Sequence, residues 1–408
     1  MDLPELLIPV GSPGLLPAAL AFGADAVYCG SSALSLRAKA DNFSDDALRE
    51  ALAYTHSREK KLYLTVNIFA HQQDLPDAED LFRKIAVWPE RPDAFIVSDP
   101  GIFRLAQRLC PSVPLHISTQ ANTTNAETAA FWGGLGASRI VCAREMTLAE
   151  IAACARFLPD GPELEVFVHG SMCMSYSGRC LISSFLNGRD ANRGLCTQPC
   201  RWQYYLCEET RPGEYMPLEE TERGIYLYNS RDLCMISHLP ELLAAGVRSL
   251  KVEGRMKNEL YIAAVTRAYR KALDALAESE EAYRAVLPWC EREVYRCTTR
   301  DYCTGFFFGR PGPEAQNFES SAYRQDVRFL GRVERDGGGF YIIQKNKFTA
   351  GERIEAVRPG GDDIPLRVLY FETEEGVRRD SCPHAGEKLY LITDVPLQQN
   401  DILREAAE

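Results

Sequence analysis

The sequence predicts an α/β fold, a TIM-like (β/α)8 barrel with a long cysteine-bearing insertion, followed by a small C-terminal antiparallel β-barrel domain. Three observations predict it. Short strands rich in Val, Ile and Leu alternate with helical segments through residues 1–282. A polar segment at 170–234 interrupts this alternation once. The last part of the chain, 322–408, instead alternates strand-like runs with DGGG, PGGDD and EEG turns.

Eight segments of the barrel region are predicted to be strands, because they are short and mostly apolar on both faces, as parallel strands covered by helices are. They are 5–10, 25–30, 62–67, 94–98, 114–118, 139–143, 164–169 and 248–254. Eight β/α units match the size of a TIM-type barrel. An open doubly wound sheet is the alternative, and it is disfavoured because no dinucleotide-binding glycine fingerprint follows the first strand.

The domain organisation follows from where the alternation stops. The insertion at 170–234 is far longer than a usual βα loop, and it follows the seventh strand, at the barrel end where catalytic groups are found. After the amphipathic helix ELYIAAVTRAYRKALDALA, an aromatic stretch punctuated by Pro and Gly predicts a linker at 283–321. The β-barrel domain then occupies 322–408.

Composition limits the class of protein. Of the 408 residues, 46% are hydrophobic and 10% aromatic, which excludes global disorder. The net charge of −11 argues against a general nucleic-acid-binding surface and leaves room for a local basic cleft. The first residues do not resemble a signal peptide, and no apolar stretch is long enough to span a bilayer. We therefore expect a cytoplasmic protein with no membrane segment, and leave its oligomeric state open.

Fourteen cysteines in a cytoplasmic chain are not expected to form disulfides, because that compartment keeps thiols reduced. Most lie in apolar runs and are expected to be buried in the core. Five lie in a polar, Gly- and Arg-rich segment or at its edge: Cys173, Cys180, Cys196, Cys200 and Cys234. Their spacing lacks the paired C-x2-C of zinc sites, whereas an iron–sulfur cluster accepts thiolates from separated loops, usually four. An iron–sulfur cluster is favoured; zinc and inert thiols remain alternatives.

Polar residues at the carboxyl ends of the predicted strands are candidates for the substrate site, because those ends converge at one barrel mouth. The candidate catalytic residues are Glu253, Arg255, His169 and Glu145. The candidate substrate-binding residues are Arg37, Asn67, Gln120, Arg179 and Lys251. Arg144 occupies a similar position. In the motif VEGRMK, Glu253 is suited to acid–base work and Arg255 to holding a carboxylate or phosphate. His169 is as readily a hydrogen-bonded core residue, and each of the others, taken alone, as readily structural.

Several long motifs, in order, resemble the collagenase-like peptidase family U-32. They are ELLIPVGSPG, GADAVYCG, HISTQANTTN, REMTLAEI, MCMSYSGRC, NRGLCTQPCRW, NSRDLC and SLKVEGRMKNELYIAAVTRAYRKALD. The resemblance is strong from residue 3 to the end of the barrel and looser over the β-domain. The chain is most similar to the members that hydroxylate tRNA.

This resemblance implies an iron–sulfur protein of tRNA modification. Such members carry a 4Fe–4S cluster, depend on prephenate and convert the wobble uridine to 5-hydroxyuridine without oxygen. The resemblance thus implies tRNA and prephenate, or a similar small anion, as partners. Two alternatives stay open: a peptidase, as the family name says, and a hydroxylation partner protein of the ubiquinone pathway. The peptidase alternative lacks support from the residues, since neither G-x-S-x-G nor H-E-x-x-H occurs.

The resemblance also implies the cluster ligands. Cys173, Cys180 and Cys196 match the family's ligand positions directly. The fourth ligand is Cys234 in some members and corresponds to Cys200 in others, and this chain has both. We expect Cys234, with Cys200 as the alternative. If tRNA is the substrate, basic and aromatic residues such as those of the run RWQYY at 201–205 are expected near the barrel mouth.

Overall fold

A computed structural model describes most of the chain. The described residues are 3–31, 34–35, 42–173, 175–176, 178–202, 205–207, 215–217, 231–311, 315 and 327–406. Within these ranges, no helix is both long and apolar enough to cross a membrane.

Eight parallel strands form a closed barrel. They are β1 (Glu5–Pro9), β2 (Ala26–Gly30), β3 (Lys61–Val66), β4 (Ala94–Val97), β5 (Leu115–Ile117), β6 (Arg139–Val141), β7 (Glu163–Gly170) and, after three further strands, β11 (Ser249–Val252). β1 to β7 are neighbours in sequence order, and β11 pairs with both β1 and β7 to close the sheet. The expectation of a TIM-like barrel is confirmed. The strands form as predicted because nearly every residue in them is buried.

Helices alternate with these strands along the chain. They are α1 (Leu16–Ala21), α2 (Asp45–His56), α3 (Leu75–Ala86), α4 (Pro100–Leu109), α5 (Ala126–Gly134), α6 (Leu148–Phe157), α7 (Ile182–Asn187), α8 (Leu239–Ala244), α9 (Glu259–Glu278) and α10 (Glu280–Tyr295). Local signals fix where several begin. The Asp99 carboxylate accepts from the first backbone amides of α4, and Thr147 and Glu150 form a reciprocal capping box on α6. These two helices therefore start at the same end of the barrel, just after their strands.

The insertion is fixed to the barrel at both ends. Its short strands are β8 (Tyr205–Cys207), β9 (Tyr215–Pro217) and β10 (Asp232–Cys234), and β12 (Tyr302–Cys303) lies beyond α10. β10 runs antiparallel to the end of β7, with Cys234 opposite His169, and β12 pairs with the other edge of β10. The sequence did not predict β10. As a result, the chain leaves the barrel after Gly170 and returns to the same strand end at Leu233.

The chain divides into two compact units. The first comprises Met1–Pro13, Tyr28–Met256 and Arg300–Tyr323, and the second comprises Gly14–Val27, Lys257–Thr299 and Arg324–Glu408. The first unit holds most of the barrel strands and the insertion. The second combines α1, α9 and α10 with the C-terminal β-strands.

The C-terminal part of the second unit is a small antiparallel barrel, as predicted. Its strands are β13 (Phe329–Asp336), β14 (Gly339–Ile343), β15 (Phe348–Thr349), β16 (Arg353–Val357), β17 (Ile364–Glu372), β18 (Arg378–Arg379), β19 (Ser381–Cys382), β20 (Lys388–Thr393) and β21 (Ile402–Glu405). Six of them close in the order β16, β21, β13, β14, β20, β17, with β17 returning to β16. Its core is apolar, with Leu330, Val333, Phe348 and Phe371 fully buried.

The segment expected to be a linker, 283–321, begins inside helix α10 instead. The Ser279 side chain caps this helix, which continues through Pro288 and buries Tyr283 on one side. Its buried Glu293 accepts hydrogen bonds from Arg404 of β21, with a shortest distance of 2.9 Å. The proline and aromatic residues of this stretch predicted irregular structure. It is helical because packing and this charge pair stabilise the helix.

Candidate functional site

An open cavity lies where the barrel strands end. Its volume is about 460 Å3, including the space at its opening to solvent. Its lining comes from seven of the eight strands or from the loops that follow them. The lining residues are Tyr28, Thr65, Asn67, Ile96, Ser118, Thr119, Gln120, Val141, Arg144, Phe167, Lys251, Glu253 and Arg255. Three of these side chains are cationic and one is anionic. The lining therefore suits an anionic ligand.

Arg255 is held in place from one side. Its Nη1 donates hydrogen bonds to Ser35 Oγ and, at 3.0 Å, to Thr65 Oγ1, and the residue is buried. Two glycines make room for it. A Cβ on Gly30 would lie 2.6 Å from Nη1, and one on Gly11 would overlap the Arg255 carbonyl oxygen. The guanidinium is thus positioned before any ligand binds, as tight binding of a carboxylate requires.

Lys251 extends from β11 into the barrel interior and is paired there. Its Nζ lies 2.7 Å from Glu165 Oε1 and 4.4 Å from the centre of the Tyr28 ring. The other carboxylate oxygen accepts from Arg139 at 3.2 Å and from Ser249 at 3.0 Å. Burial alone would raise the pKa of Glu165, but the two cations outweigh it and lower that pKa to about 2. Glu165 is therefore ionised, and it orients the ammonium group below the cavity.

Arg144 lines the cavity and lies near the cysteine segment, residues 173–202. Its guanidinium stacks 3.9 Å from the centre of the Phe167 ring, and it makes no ion pair within the described part of the chain. Packing of the chain around Cys173 raises the pKa of its thiol although the residue is partly open to solvent, and the positive charge of Arg144 acts in the opposite direction. The two residues are therefore close enough to interact electrostatically.

Amide and hydroxyl groups line the opposite wall of the cavity. Asn67 Nδ2 donates to Ser118 Oγ at 3.3 Å, and Ser98 Oγ donates to the Asn67 carbonyl at 3.1 Å. Asn67 Oδ1 is buried and accepts no hydrogen bond from any described residue. Thr119 Oγ1 donates to the Cys142 carbonyl at 3.1 Å. This wall is therefore fixed mainly by hydrogen bonds to the backbone and leaves one amide oxygen for a donor on a ligand.

His169 lies beside the cavity rather than in its lining. The ring is buried, and its Nε2 lies 3.2 Å from the Tyr302 hydroxyl, which the sequence did not indicate. The His169 carbonyl accepts from the Glu253 amide at 2.8 Å. His169 therefore ties together the end of β7, the end of β11 and β12.

The cysteine segment packs on the mouth of the barrel. Gly178 has a φ of +77°, and a Cβ there would overlap the Gln120 carbonyl oxygen. Farther along, Arg193 forms an ion pair of 2.6 Å with Asp74, which lies in the loop after β3. These contacts place the segment next to residues that line the cavity.

The five candidate ligand thiols form no disulfide among the described residues. Cys173 is exposed, and Cys180, Cys196, Cys200 and Cys234 are partly buried. Charge on Cys180 or Cys196 raises the pKa of Cys173, so these three thiols are neighbours. In the described ranges, no three His, Cys, Asp or Glu side chains converge as a single metal ion requires. Thiolates from separated parts of the chain are the donors that an iron–sulfur cluster takes, so these residues fit such a group by their chemistry. Whether Cys200 or Cys234 is the fourth ligand stays a prediction.

The structure brings five of the predicted site residues together in the cavity: Asn67, Gln120, Lys251, Glu253 and Arg255. Three others lie outside its lining: Glu145, His169 and Arg179. Arg37 falls outside the described residues. The sequence analysis missed Tyr28, Thr65 and Phe167, which lie within strands. Strand residues that face the barrel interior alternate with residues that face the helices, and this alternation could have identified the three residues. Because both faces of the strands are buried and apolar, the alternation is not visible in the sequence.

Comparison with known proteins supports one family over the whole chain. The model of peptidase family U32 matches residues 11–317, and that of the family's C-terminal domain matches 325–404. The tRNA hydroxylation protein P of Escherichia coli is 35% identical, over 98% of this chain and 96% of that protein. The tRNA hydroxylation protein P1 of Bacillus subtilis is 34% identical, over 98% and 94%. A ribosomal RNA 5-hydroxycytidine synthase of Escherichia coli is 36% identical, over 95% of this chain and 56% of that protein.

Both parts of the fold, barrel and C-terminal domain, are thus matched in order, as the resemblance of the motifs led us to expect. The chain belongs to peptidase family U32.

Proposed function

We propose that this protein hydroxylates tRNA, converting the wobble uridine to 5-hydroxyuridine without oxygen, with a 4Fe–4S cluster and prephenate. The observation that carries the proposal is the cationic cavity beside the cysteine segment, where a Cβ on Gly178 would overlap the carbonyl oxygen of Gln120 in the cavity lining. The relatives named for tRNA or ribosomal RNA hydroxylation support RNA as the substrate class.

The proposed ligands are Cys173, Cys180, Cys196 and either Cys234 or Cys200. When bound, a 4Fe–4S cluster supplies one-electron redox chemistry. Arg144 offsets negative charge beside Cys173. Partly buried thiols at one end of the barrel keep such a group near the cavity and limit its contact with solvent.

The proposed role of the cavity is to bind a small organic acid such as prephenate. Arg255, anchored by Ser35 and Thr65 in the cavity, is suited to pair with a carboxylate, and the Lys251 ammonium adds a second positive charge. Asn67 Oδ1 is placed to accept a hydrogen bond from a hydroxyl group of the ligand. Glu253, at the rim, is placed to exchange a proton with the bound acid or with the base.

The test is to express the chain in a strain that lacks tRNA uridine hydroxylation and to quantify 5-hydroxyuridine in digested tRNA by mass spectrometry. Cys173→Ser should abolish the product and reduce the iron content of protein purified without oxygen. Cys142→Ser is the matched control, since burial raises the pKa of that thiol to about 12 and keeps it inert. Absence of 5-hydroxyuridine from the tRNA of cells that contain the wild-type chain would refute the proposal. Peptide cleavage by iron-free protein would favour the peptidase alternative.

The same assay decides the fourth ligand. Cys200→Ser and Cys234→Ser are compared for iron per chain, with roughly four expected for the intact cluster. We expect the greater loss from Cys234→Ser. A greater loss from Cys200→Ser would assign that cysteine instead.

A further inference from the structure

The cysteine segment, residues 173–202, exposes large apolar side chains to solvent. Of the fourteen exposed large hydrophobic residues in the described part of the chain, six lie in this short segment. They are Tyr176, Leu181, Phe185, Leu186, Leu195 and Trp202. Phe185 is 87% exposed, more than any other. A cluster of exposed apolar side chains on this scale marks a surface that binds something.

The same segment is basic. Its arginines are Arg179, Arg189, Arg193 and Arg201, and Asp190 is its one acidic residue. It therefore carries three net positive charges within a chain of net charge −11. Arg179 and Arg189 are exposed and form no ion pair within the described residues. Charge complementarity thus points to a negatively charged partner.

Two exposed aromatic residues of the segment, Phe185 and Trp202, lie on or next to elements that pack against each other. Helix α7 carries Phe185 and packs against the turn Pro199–Arg201, which Trp202 follows directly. Trp202 is 48% exposed. Two exposed rings and two exposed arginines in one short segment suit stacked bases and phosphates, and Gly178 of the same segment lies against Gln120 at the cavity.

We propose that the segment 173–202 binds a single-stranded stretch of RNA. Unpaired bases stack on Phe185 and Trp202, and Arg179 and Arg189 neutralise the phosphates between them. This inference rests on the proposed function and deepens it by naming the surface that holds the substrate. It also explains why apolar groups are exposed so near the cavity: a base must leave its stack to be modified, and neighbouring bases need new surfaces to stack on.

The first test measures the affinity of the full-length chain, purified without oxygen, for fluorescently labelled tRNA by anisotropy. Phe185→Ala and Trp202→Ala should each weaken binding roughly 5- to 160-fold, the range expected for loss of one stacking ring. Phe157→Ala is the matched control. Phe157 is also an exposed ring, at 53%, but it ends helix α6 at the opposite end of the barrel, and its loss should leave the affinity unchanged.

The second test measures the salt dependence of binding. The double variant Arg179→Ala, Arg189→Ala should lower the slope of log K against log salt by about 0.7 for each phosphate that is no longer neutralised. Arg108→Ala is the control, because Arg108 is an exposed arginine in the last turn of α4, far from the mouth.

The outcomes separate this inference from the proposed function. If the wild type hydroxylates and binds tRNA while Phe185→Ala and the arginine variant bind equally well, the surface is wrong and the function stands. If the wild type neither binds tRNA nor forms 5-hydroxyuridine, both fail. Light scattering tests whether a second copy of the chain binds the segment instead of RNA. If Phe185→Ala converted a dimer to a monomer, the exposed apolar side chains would be a dimer interface and the proposal would be wrong.

Discussion

The barrel interior and the cysteine segment, adjacent in the fold, differ in how their charged groups are arranged. In the interior, Glu165 is fully buried and paired with Lys251 and Arg139. In the segment, Arg179 and Arg189 are exposed and form no ion pair within the described residues. A buried charge must be paired because removing it from water is costly, whereas an exposed cation costs little and can serve a ligand. The charged side chains of the interior therefore position one another, whereas the exposed arginines of the segment can contact a binding partner.

Among the variants that remove or crowd a charged group, the largest effect should come from breaking the interior pair. Lys251→Met leaves the Glu165 carboxylate buried with Arg139 and Ser249 alone, and should lower the free energy of unfolding by about 3 kcal/mol. Urea unfolding followed by circular dichroism measures it. In the double variant Glu165→Gln, Lys251→Met the unpaired charge is gone, so stability should be partly restored. A loss below about 1 kcal/mol in the single variant would show that the pair is not needed.

Crowding Arg255 should cost slightly less. A methyl group at Gly30 would lie 2.6 Å from Arg255 Nη1, so Gly30→Ala should destabilise by about 2 kcal/mol and displace the guanidinium. Under the proposed function, 5-hydroxyuridine should also fall. Gly14→Ala is the control, since no atom lies within 4 Å of a Cβ there. Normal stability and a normal amount of 5-hydroxyuridine in Gly30→Ala would mean that the residues around Arg255 at the barrel mouth move aside more easily than those of the barrel interior.

The interior should also respond to pH. Burial, with Arg139 nearby, lowers the pKa of His116 to about 3, from 6.5 for a free histidine. Below pH 6.5 the unfolded chain binds a proton that the folded chain does not, so stability falls by about 1.4 kcal/mol per pH unit. Between pH 7.5 and pH 5, the wild type should lose about 2 kcal/mol more than His116→Phe. Identical losses in the two proteins would show that His116 takes up a proton in the folded state.

The smallest effect should come from the segment. Phe185→Ala should change the free energy of unfolding by less than about 0.5 kcal/mol, because the ring is 87% exposed. Phe95→Ala, at a ring with no exposure, should cost about 3–5 kcal/mol. Calorimetry on both variants gives the comparison. A large loss from Phe185→Ala would mean that this ring stabilises the fold rather than contacting a ligand.

Much of the fold could be predicted from the sequence. The barrel strands agree within about two residues, as 94–98 does with Ala94–Val97, because uniformly apolar runs between helices allow few alternatives. Several elements escaped prediction, among them strand β10 and helix α10. Strand β10 has only three residues and forms by pairing with the distant β7. Helix α10 contains Pro288, which locally predicts an interruption, and it persists because packing outweighs that preference.

The site was predictable where it depended on position along a strand. Lys251, Glu253 and Arg255 were identified because they end a predicted strand, and they share one cavity. The neighbourhood of Arg144 and Cys173 was not predictable, because it depends on how the insertion folds back over the mouth. His169 was equally suited to the site by its position, yet its ring turns to Tyr302, a partner in a strand far along the chain.

The antiparallel pairing between β7 and β10 has a consequence for how proteins of this family can change in evolution. Because Gly170 pairs with Leu233, the barrel holds both ends of the insertion at one place, whatever lies between them. The entropy of closing such a loop grows only with the logarithm of its length, about 0.6 kcal/mol for each doubling. Residues can therefore be gained or lost inside the loop at small thermodynamic cost. Descendants of one barrel could thus acquire different recognition surfaces while the strands beneath stay the same.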